Sequence, residues 1–275
     1  MNDFLHLMLK PFLACLILTG IHAYLGLHVI EREVIFVDLA LAQIAAFGAT
    51  LGFLLGFGLH ALGNYLIALS FTLVGAAVFA LTRLRKPLVP QEALIGVAYA
   101  VSAAAAILVL SRAPEGGEEL KGLLVGHLLF VEWPEILKVL ALYGLIGIIH
   151  WVGRKPFLLI SQDPERAFAR GLRVRWWDFL FYATFGFVVT SSVELAGVLL
   201  VFSFLIVPAI CGVFLARTIP GRLLVGWGVG TLTSVAGVTA SYAWDLPTGA
   251  AVVCAFGACL IGCALLRGVR ATLRA

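Results

Sequence analysis

FVDLALAQIAAFGATLG, residues 36–52, is almost continuously apolar, yet it holds a carboxylate at Asp38 and an amide at Gln43. A helix on the surface of a soluble protein shows an apolar stripe on one side and a polar face on the other. Here apolar side chains surround the whole circumference, as in a helix buried on all sides or bathed in lipid. The rest of the chain decides between the two. Of its 275 residues, 62% are hydrophobic and 12% charged, with a mean hydropathy of +1.06. Soluble domains are roughly half apolar and about a quarter charged. A soluble chain of this size cannot enclose so much hydrocarbon, so the sequence specifies an integral membrane protein.

A spanning helix needs roughly 20 apolar residues. Working outward from the opening stretch, nine segments qualify, at approximately 8–30, 35–59, 61–82, 91–111, 135–153, 177–191, 194–216, 223–243 and 247–267. The sixth is short and is expected to be broken or partly inserted, so the reading is eight to nine spans in a single all-α membrane domain over 1–275. The N-terminus lacks the basic region of a cleavable signal and is expected to be retained. Five cysteines, an odd count, all fall in apolar segments, which argues against a disulfide framework or zinc knuckle. Cys259 and Cys263 share a helix face and read as packing residues.

The connectors orient the chain. With nine spans and the N-terminus outside, Arg32, Arg83, Arg85, Lys86, Arg154, Lys155, Arg166, Arg170, Arg173, Arg175, Arg217, Arg222, Arg267, Arg270 and Arg274 fall on one side. Lys10, Arg112, Lys121 and Lys138 fall on the other. Fifteen against four puts the first group, and the C-terminus, in the cytoplasm. The modest net charge of +4 thus reports topology and not a nucleic-acid surface.

Two connectors exceed what a turn requires. The external one, about 112–134, reads as a short hairpin helix at the outer surface. The internal one, about 154–176, contains SQDPERAFARGLRV (161–174). Asp163 has the position of an N-cap, Pro164 of the first helical residue and Glu165 of the first turn. Arg170 follows in the last turn, and Gly171 closes the helix. This short helix is either a surface connector or a docking element for a cytoplasmic partner.

Small residues at four-residue spacing, Gly48, Gly52 and Gly56 and again Gly226 and Gly230, predict close helix packing in lipid. Pro208 is expected to kink or break the seventh span. No phosphate loop of the form GxxxxGK[ST] is present, nor HExxH, nor GxSxG, so the chain has no signature of a nucleotide-hydrolysing, metalloprotease or serine-hydrolase site. The informative residues are polar groups at membrane depth, where a carboxylate costs about 2.5–3.5 kcal/mol. Glu92, His60 and His150 read as interfacial residues near span ends. Glu194 stands beside Ser191 and Ser192 at the start of the seventh span, either capping or facing a lumen. His22 lies deeper, as a structural hydrogen bonder or a pathway group. Asp38 and Gln43 are five residues apart, so their side chains diverge by about 140° and do not share one ligand as an i, i+4 pair would. Asp38 either lines a path or pairs with Arg32 or a neighbouring helix near the inner surface.

Taken in order, FVDLALAQIAAFGATLGFLLG (36–56), LLVGHLL (123–129), SQDPERAFARGLRV (161–174), ELAGVLLVFSFLIVPAICGVFLA (194–216) and YAWDLPTGAAVV (242–253) resemble the permeases of bacterial ATP-binding-cassette importers for zinc, manganese and iron, the ABC-3 family. The resemblance implies a type II-like importer fold and a homodimer in the bacterial cytoplasmic membrane. It also implies a cytoplasmic ATPase engaged through 161–174, an external solute-binding protein, no enzymatic activity and no resident cofactor, the metal ion being cargo. It favours the docking role for Asp163, Pro164, Glu165, Arg166, Arg170 and Gly171, and it makes Asp245 a helix-start cap for the ninth span. Family members present an aspartate and a histidine four residues apart in the second span. Aligned on Gly48, this chain has Leu39 and Gln43 at those places, so its pathway is expected to be rebuilt around Asp38, the candidate metal ligand, with Gln43, His22 or Glu194. The alternative is an ion- or proton-coupled secondary transporter that uses Asp38 or Glu194 and needs no ATPase.

Overall fold

The computed structural model describes residues 2–58, 61–83, 88–111 and 127–272, with side chains between 7 and 268. Among them, nine helices are long and apolar enough to cross a membrane. They are α1 (Asn2–Glu31), α2 (Val37–Leu54), α3 (Leu62–Thr82), α4 (Gln91–Leu110), α5 (Trp133–Val152), α8 (Val174–Ala196), α9 (Val198–Leu215), α10 (Ile219–Trp244) and α11 (Thr248–Thr272). Two short helices, α6 (Arg154–Gln162) and α7 (Pro164–Ala169), lie between α5 and α8, and a 3-10 turn at Leu128–Phe130 precedes α5. The external hairpin expected at about 112–134 falls mostly outside the described residues, as does His60.

Three expectations need correction. The sixth span is neither short nor broken, since α8 runs for 23 residues. Its polar Ser191 and Ser192 do not end it, because their hydroxyls donate to the carbonyls of Phe187 (2.8 Å) and Val188 (2.6 Å) one turn back. The break comes at Gly197, whose φ of +77° separates α8 from α9. Glu194 therefore lies at the end of the sixth span and does not begin the seventh. Pro208 lies inside α9, which is continuous through it. Asp245 is the C-cap of α10, in the left-handed region at φ 51°, and does not start α11. There Leu246 N donates to Ser241 O (3.0 Å) and the Ser241 hydroxyl to Leu246 O (2.8 Å).

The chain divides into two compact units. One comprises Met1–Ile30, Val125–Gly144 and Glu194–Ala275; the other comprises Glu31–Leu124 and Leu145–Val193. In the first, small residues bring helix backbones together. A Cβ on Gly26 of α1 would fall on the Leu205 carbonyl of α9. One on Gly230 of α10 would strike the Thr19 side chain of α1, and one on Gly237 would strike the backbone of Val252 in α11. The Gly226 and Gly230 row thus packs α10 on α1, where the Trp227 indole also donates to Gly20 O (3.1 Å). Phe204 of α9 meets Phe256 of α11 edge to face, centroids 4.9 Å apart.

In the second unit α2 lies on α3 through the predicted glycines. A Cβ on Gly48 would come within 2.9 Å of Ala68 Cα, and one on Gly52 would collide with the Asn64 amide oxygen. Gly56 does something else. It sits past the end of α2 at φ +90° with open space around it. Its N–H donates to Phe53 O (2.9 Å) and that of Phe57 to Gly52 O (3.1 Å), which is a Schellman termination. Helix α3 meets α8 through the Thr72 and Thr190 hydroxyls (3.2 Å) and the Phe79 and Tyr182 rings.

Candidate functional site

In the second unit, the connector between α5 and α8 holds a short helix capped at both ends. Asp163 accepts a hydrogen bond from Arg166 N (2.8 Å) at the N-terminus of α7, with Pro164 in its first turn. At the other end Arg170 is the C-cap and Gly171 adopts φ +72°. Gly171 N donates to Phe168 O (3.0 Å) and Leu172 N to Ala167 O (3.1 Å), the paired bonds of a Schellman motif. A helix of six residues has little intrinsic stability, so these caps and one buried face hold it. That face is Ala167, packed with Ile160 and Val174 and flanked by Leu159, Phe168, Leu172 and Trp177. Glu165, Arg166, Ala169 and Arg170 face outward and are exposed. The arrangement presents a charged knob on an apolar seat, with the two caps that the sequence anticipated.

Behind this knob lies an ionic cluster. Arg32, in the turn after α1, donates from Nη1 to Asp178 Oδ1 of α8 (2.6 Å), and neither side chain has any exposed surface. Its Nε donates to Ser161 Oγ on α6 (2.8 Å), and its guanidinium lies 4.0 Å from the centre of the Phe181 ring. The other oxygen of Asp178 faces Arg83 Nε at the end of α3 (3.2 Å). Arg83 also reaches Gln91 Oε1 (3.4 Å), and the Gln91 amide donates to Phe79 O (2.9 Å). Nearby, His150 stacks on Phe157 of α6 at 4.4 Å and shares a 2.9 Å hydrogen bond with the Thr184 hydroxyl. Asp178 falls inside the expected sixth span (177–191) but is not among the polar groups singled out from the sequence. The visible signal was an acid four residues into a helix whose apolar run continues to Ala196.

The pathway candidates are dispersed. Asp38 is buried in the first turn of α2, and its Oδ1 accepts from Leu39 N (2.8 Å), so the carboxylate folds onto its own helix N-terminus. Arg32 is committed to Asp178 and Ser161, so the expected alternative of an Asp38–Arg32 pair is not formed. Glu92, in the first turn of α4, supplies an acceptor for the Phe36 N–H (3.0 Å) and thereby caps α2 from a neighbouring helix. Gln43 is buried one turn further along α2. His22 of α1 is wholly buried, with Nδ1 donating to Leu18 O (2.8 Å) and its ring edge-on to Tyr143. Glu194 is exposed. Asp38 and Gln43 belong to the second unit, His22 and Glu194 to the first. Among the described residues, no three His, Cys, Asp or Glu side chains converge as a metal site.

Comparison with known proteins agrees with this architecture. The chain is 26% identical over 201 residues to the manganese transport system membrane protein MntC of Listeria innocua, covering 69% of this chain and 70% of that protein. It is 22% identical over 254 residues to the manganese import system permease protein ScaB of Streptococcus gordonii, covering 92% and 88%. Its fold superposes on PsaBC from Streptococcus pneumoniae, solved in complex with Fab, with a TM-score of 0.79 at 20% identity, covering 95% and 93% of the two chains. The ABC 3 transport family matches residues 4–266. With that match over nearly its whole length, the chain belongs to the ABC 3 transport family, as a multi-pass membrane permease and not an enzyme.

Proposed function

We propose that this chain is the membrane subunit of an importer that moves a divalent transition-metal ion, manganese before zinc or iron, into the cytoplasm. Two copies form the translocation path, and the path opens alternately to either side. An external solute-binding protein delivers the ion, and a separate cytoplasmic ATPase drives the cycle through α7. The observation that carries this reading is the doubly capped α7, whose exposed Glu165, Arg166 and Arg170 project from a buried apolar seat. The names of the manganese-transporting relatives supply the cargo. The fifteen-to-four bias of basic residues supports a cytoplasmic position for α7 and an external N-terminus.

In this reading the protein breaks no bonds. It offers ligands that hold an ion briefly and release it. Asp38 and Gln43 are the groups of the second span assigned to that task. Carboxylate oxygen suits manganese, whereas an amide is a weaker donor than the imidazole of other family members. The test is uptake by proteoliposomes holding the permease, its ATPase and its binding protein, with Mn²⁺, Zn²⁺ and Fe²⁺ compared. ATP-dependent Mn²⁺ uptake is expected in the wild type, with loss in Asp38→Ala and broader acceptance of Zn²⁺ in Gln43→His. Unchanged uptake in Asp38→Ala would remove this residue from the path. ATP-independent accumulation would replace the importer with a secondary transporter.

A further inference from the structure

A buried ion pair is an expensive way to join helices. Apolar residues of similar volume often do as well or better for stability, so such a pair is best explained by the register it imposes. The Arg32–Asp178 pair stands where register matters. Helix α6 is separated from α7 by Asp163 alone, and Ser161 of α6 lies two residues before that cap. Apolar contacts also hold α6, through the Phe157–His150 stack and the Phe157–Trp177 edge contact (5.2 Å). Ring contacts of that kind have preferred geometries, but they place no hydrogen bond between α6 and the turn after α1. The Arg32 fork supplies one. One planar group donates to Ser161 from Nε and to Asp178 from Nη1 while its face lies on Phe181. A lysine has no second donor fixed in the same plane. Asp178 is held in turn by Arg83 at the end of α3.

We infer that Arg32, with Asp178 and Ser161, is a positioning residue for transport. The cluster locks the docking segment to α8 and α3, so that displacement of α7 by a motor subunit reaches the membrane helices and is not absorbed in the connector. The inference rests on the importer reading above, and it assigns work to residues that touch neither cargo nor ATPase. It separates two quantities that a merely structural role would move together, namely the amount of assembled complex and the transport obtained per ATP.

The experiment uses the complete complex of permease, ATPase and binding protein in proteoliposomes, with Mn²⁺ as the transported ion. Ser161→Ala removes the link from α6 to Arg32 and leaves the ion pair. Arg32→Lys keeps the charge beside Asp178 and loses the fork. Ser70→Ala, whose exposed hydroxyl bonds only to the Leu66 carbonyl of its own helix, is the control. Hydrogen bonds to charged groups shift equilibria by about tenfold or more. Both cluster variants are therefore expected to lower Mn²⁺ moved per ATP by about threefold or more, with ATPase capture and hydrolysis retained. A ratio equal to that of the control, in complexes that capture the ATPase normally, would overturn the inference and leave the importer reading standing. If Arg32→Lys does not assemble, Ser161→Ala decides the matter alone. If wild-type permease captures no ATPase, the importer reading falls and the linkage with it.

Discussion

Replacing Asp178 by leucine would leave Arg32 with its charge and without its counter-ion, in a site where its side chain has no exposed surface. Removing one member of a buried pair costs about 3–5 kcal/mol, because the survivor is neither solvated nor neutralised. Contacts remain to Arg32 from the Ser161 hydroxyl at 2.8 Å and from the Phe181 and Tyr182 rings at 4.0 and 5.9 Å. Arg83 keeps some solvent access, with 11% of its side chain exposed, and can turn outward. These place the cost at the low end, about 3 kcal/mol. At about 2–4 °C per kcal/mol for chains near this size, the thermal midpoint should fall by about 6–12 °C. Arg32→Met should fall comparably, since Asp178 would then depend on Arg83 alone. The double variant should recover most of the loss, with a coupling energy above about 2 kcal/mol. Intrinsic fluorescence of the six tryptophans in detergent gives the midpoints, and Trp177 packs in the same region. Single variants at the wild-type midpoint, or a double variant equal to the sum of its parts, would refute the buried-pair reasoning.

Three further outcomes follow from local geometry. Gly48→Leu should destabilise the α2–α3 contact by about 1–3 kcal/mol, since a Cβ there already lies 2.9 Å from the Ala68 backbone; the thermal midpoint reports it. Gly56→Val should cost about 1 kcal/mol or more through its positive φ alone, with open space around it, and Gly56→Asn should be milder in the same assay. Asp163→Ala should cost about 1 kcal/mol by removing the cap of α7. Its signature is weaker ATPase retention on a permease column, with the thermal midpoint lowered by no more than about 2–4 °C.

Much of this fold could be read directly from the residues. The spans follow from long apolar runs, and their ends from charged connectors. The short helix α7 was legible because its signals are local: Asp163 and Gly171 act within three residues of themselves. What escaped was set by distant partners. Asp178 lies 146 residues from Arg32, and no spacing rule joins them. The end of α8 was misplaced because Ser191 and Ser192 look like a polar break, yet satisfy themselves on carbonyls one turn back. Asp245 shows the same ambiguity in reverse. An aspartate between two helices can cap the second or close the first, and its left-handed backbone chose the latter. The glycine row was half right, since Gly48 and Gly52 pack while Gly56 terminates. Of the candidate pathway, the sequence identified the polar groups, but it could not show that Asp38 turns its carboxylate onto the Leu39 amide.

Dependence of transport on a second chain decides the account. Proteoliposomes containing the permease and binding protein should accumulate no Mn²⁺ on addition of ATP, and adding the ATPase during reconstitution should start uptake. That uptake should stop when Glu165 and Arg166 on the exposed face of α7 are both replaced by alanine. Uptake by the permease alone, driven by an ion gradient, would contradict it, as would full coupling in a permease stripped of that face.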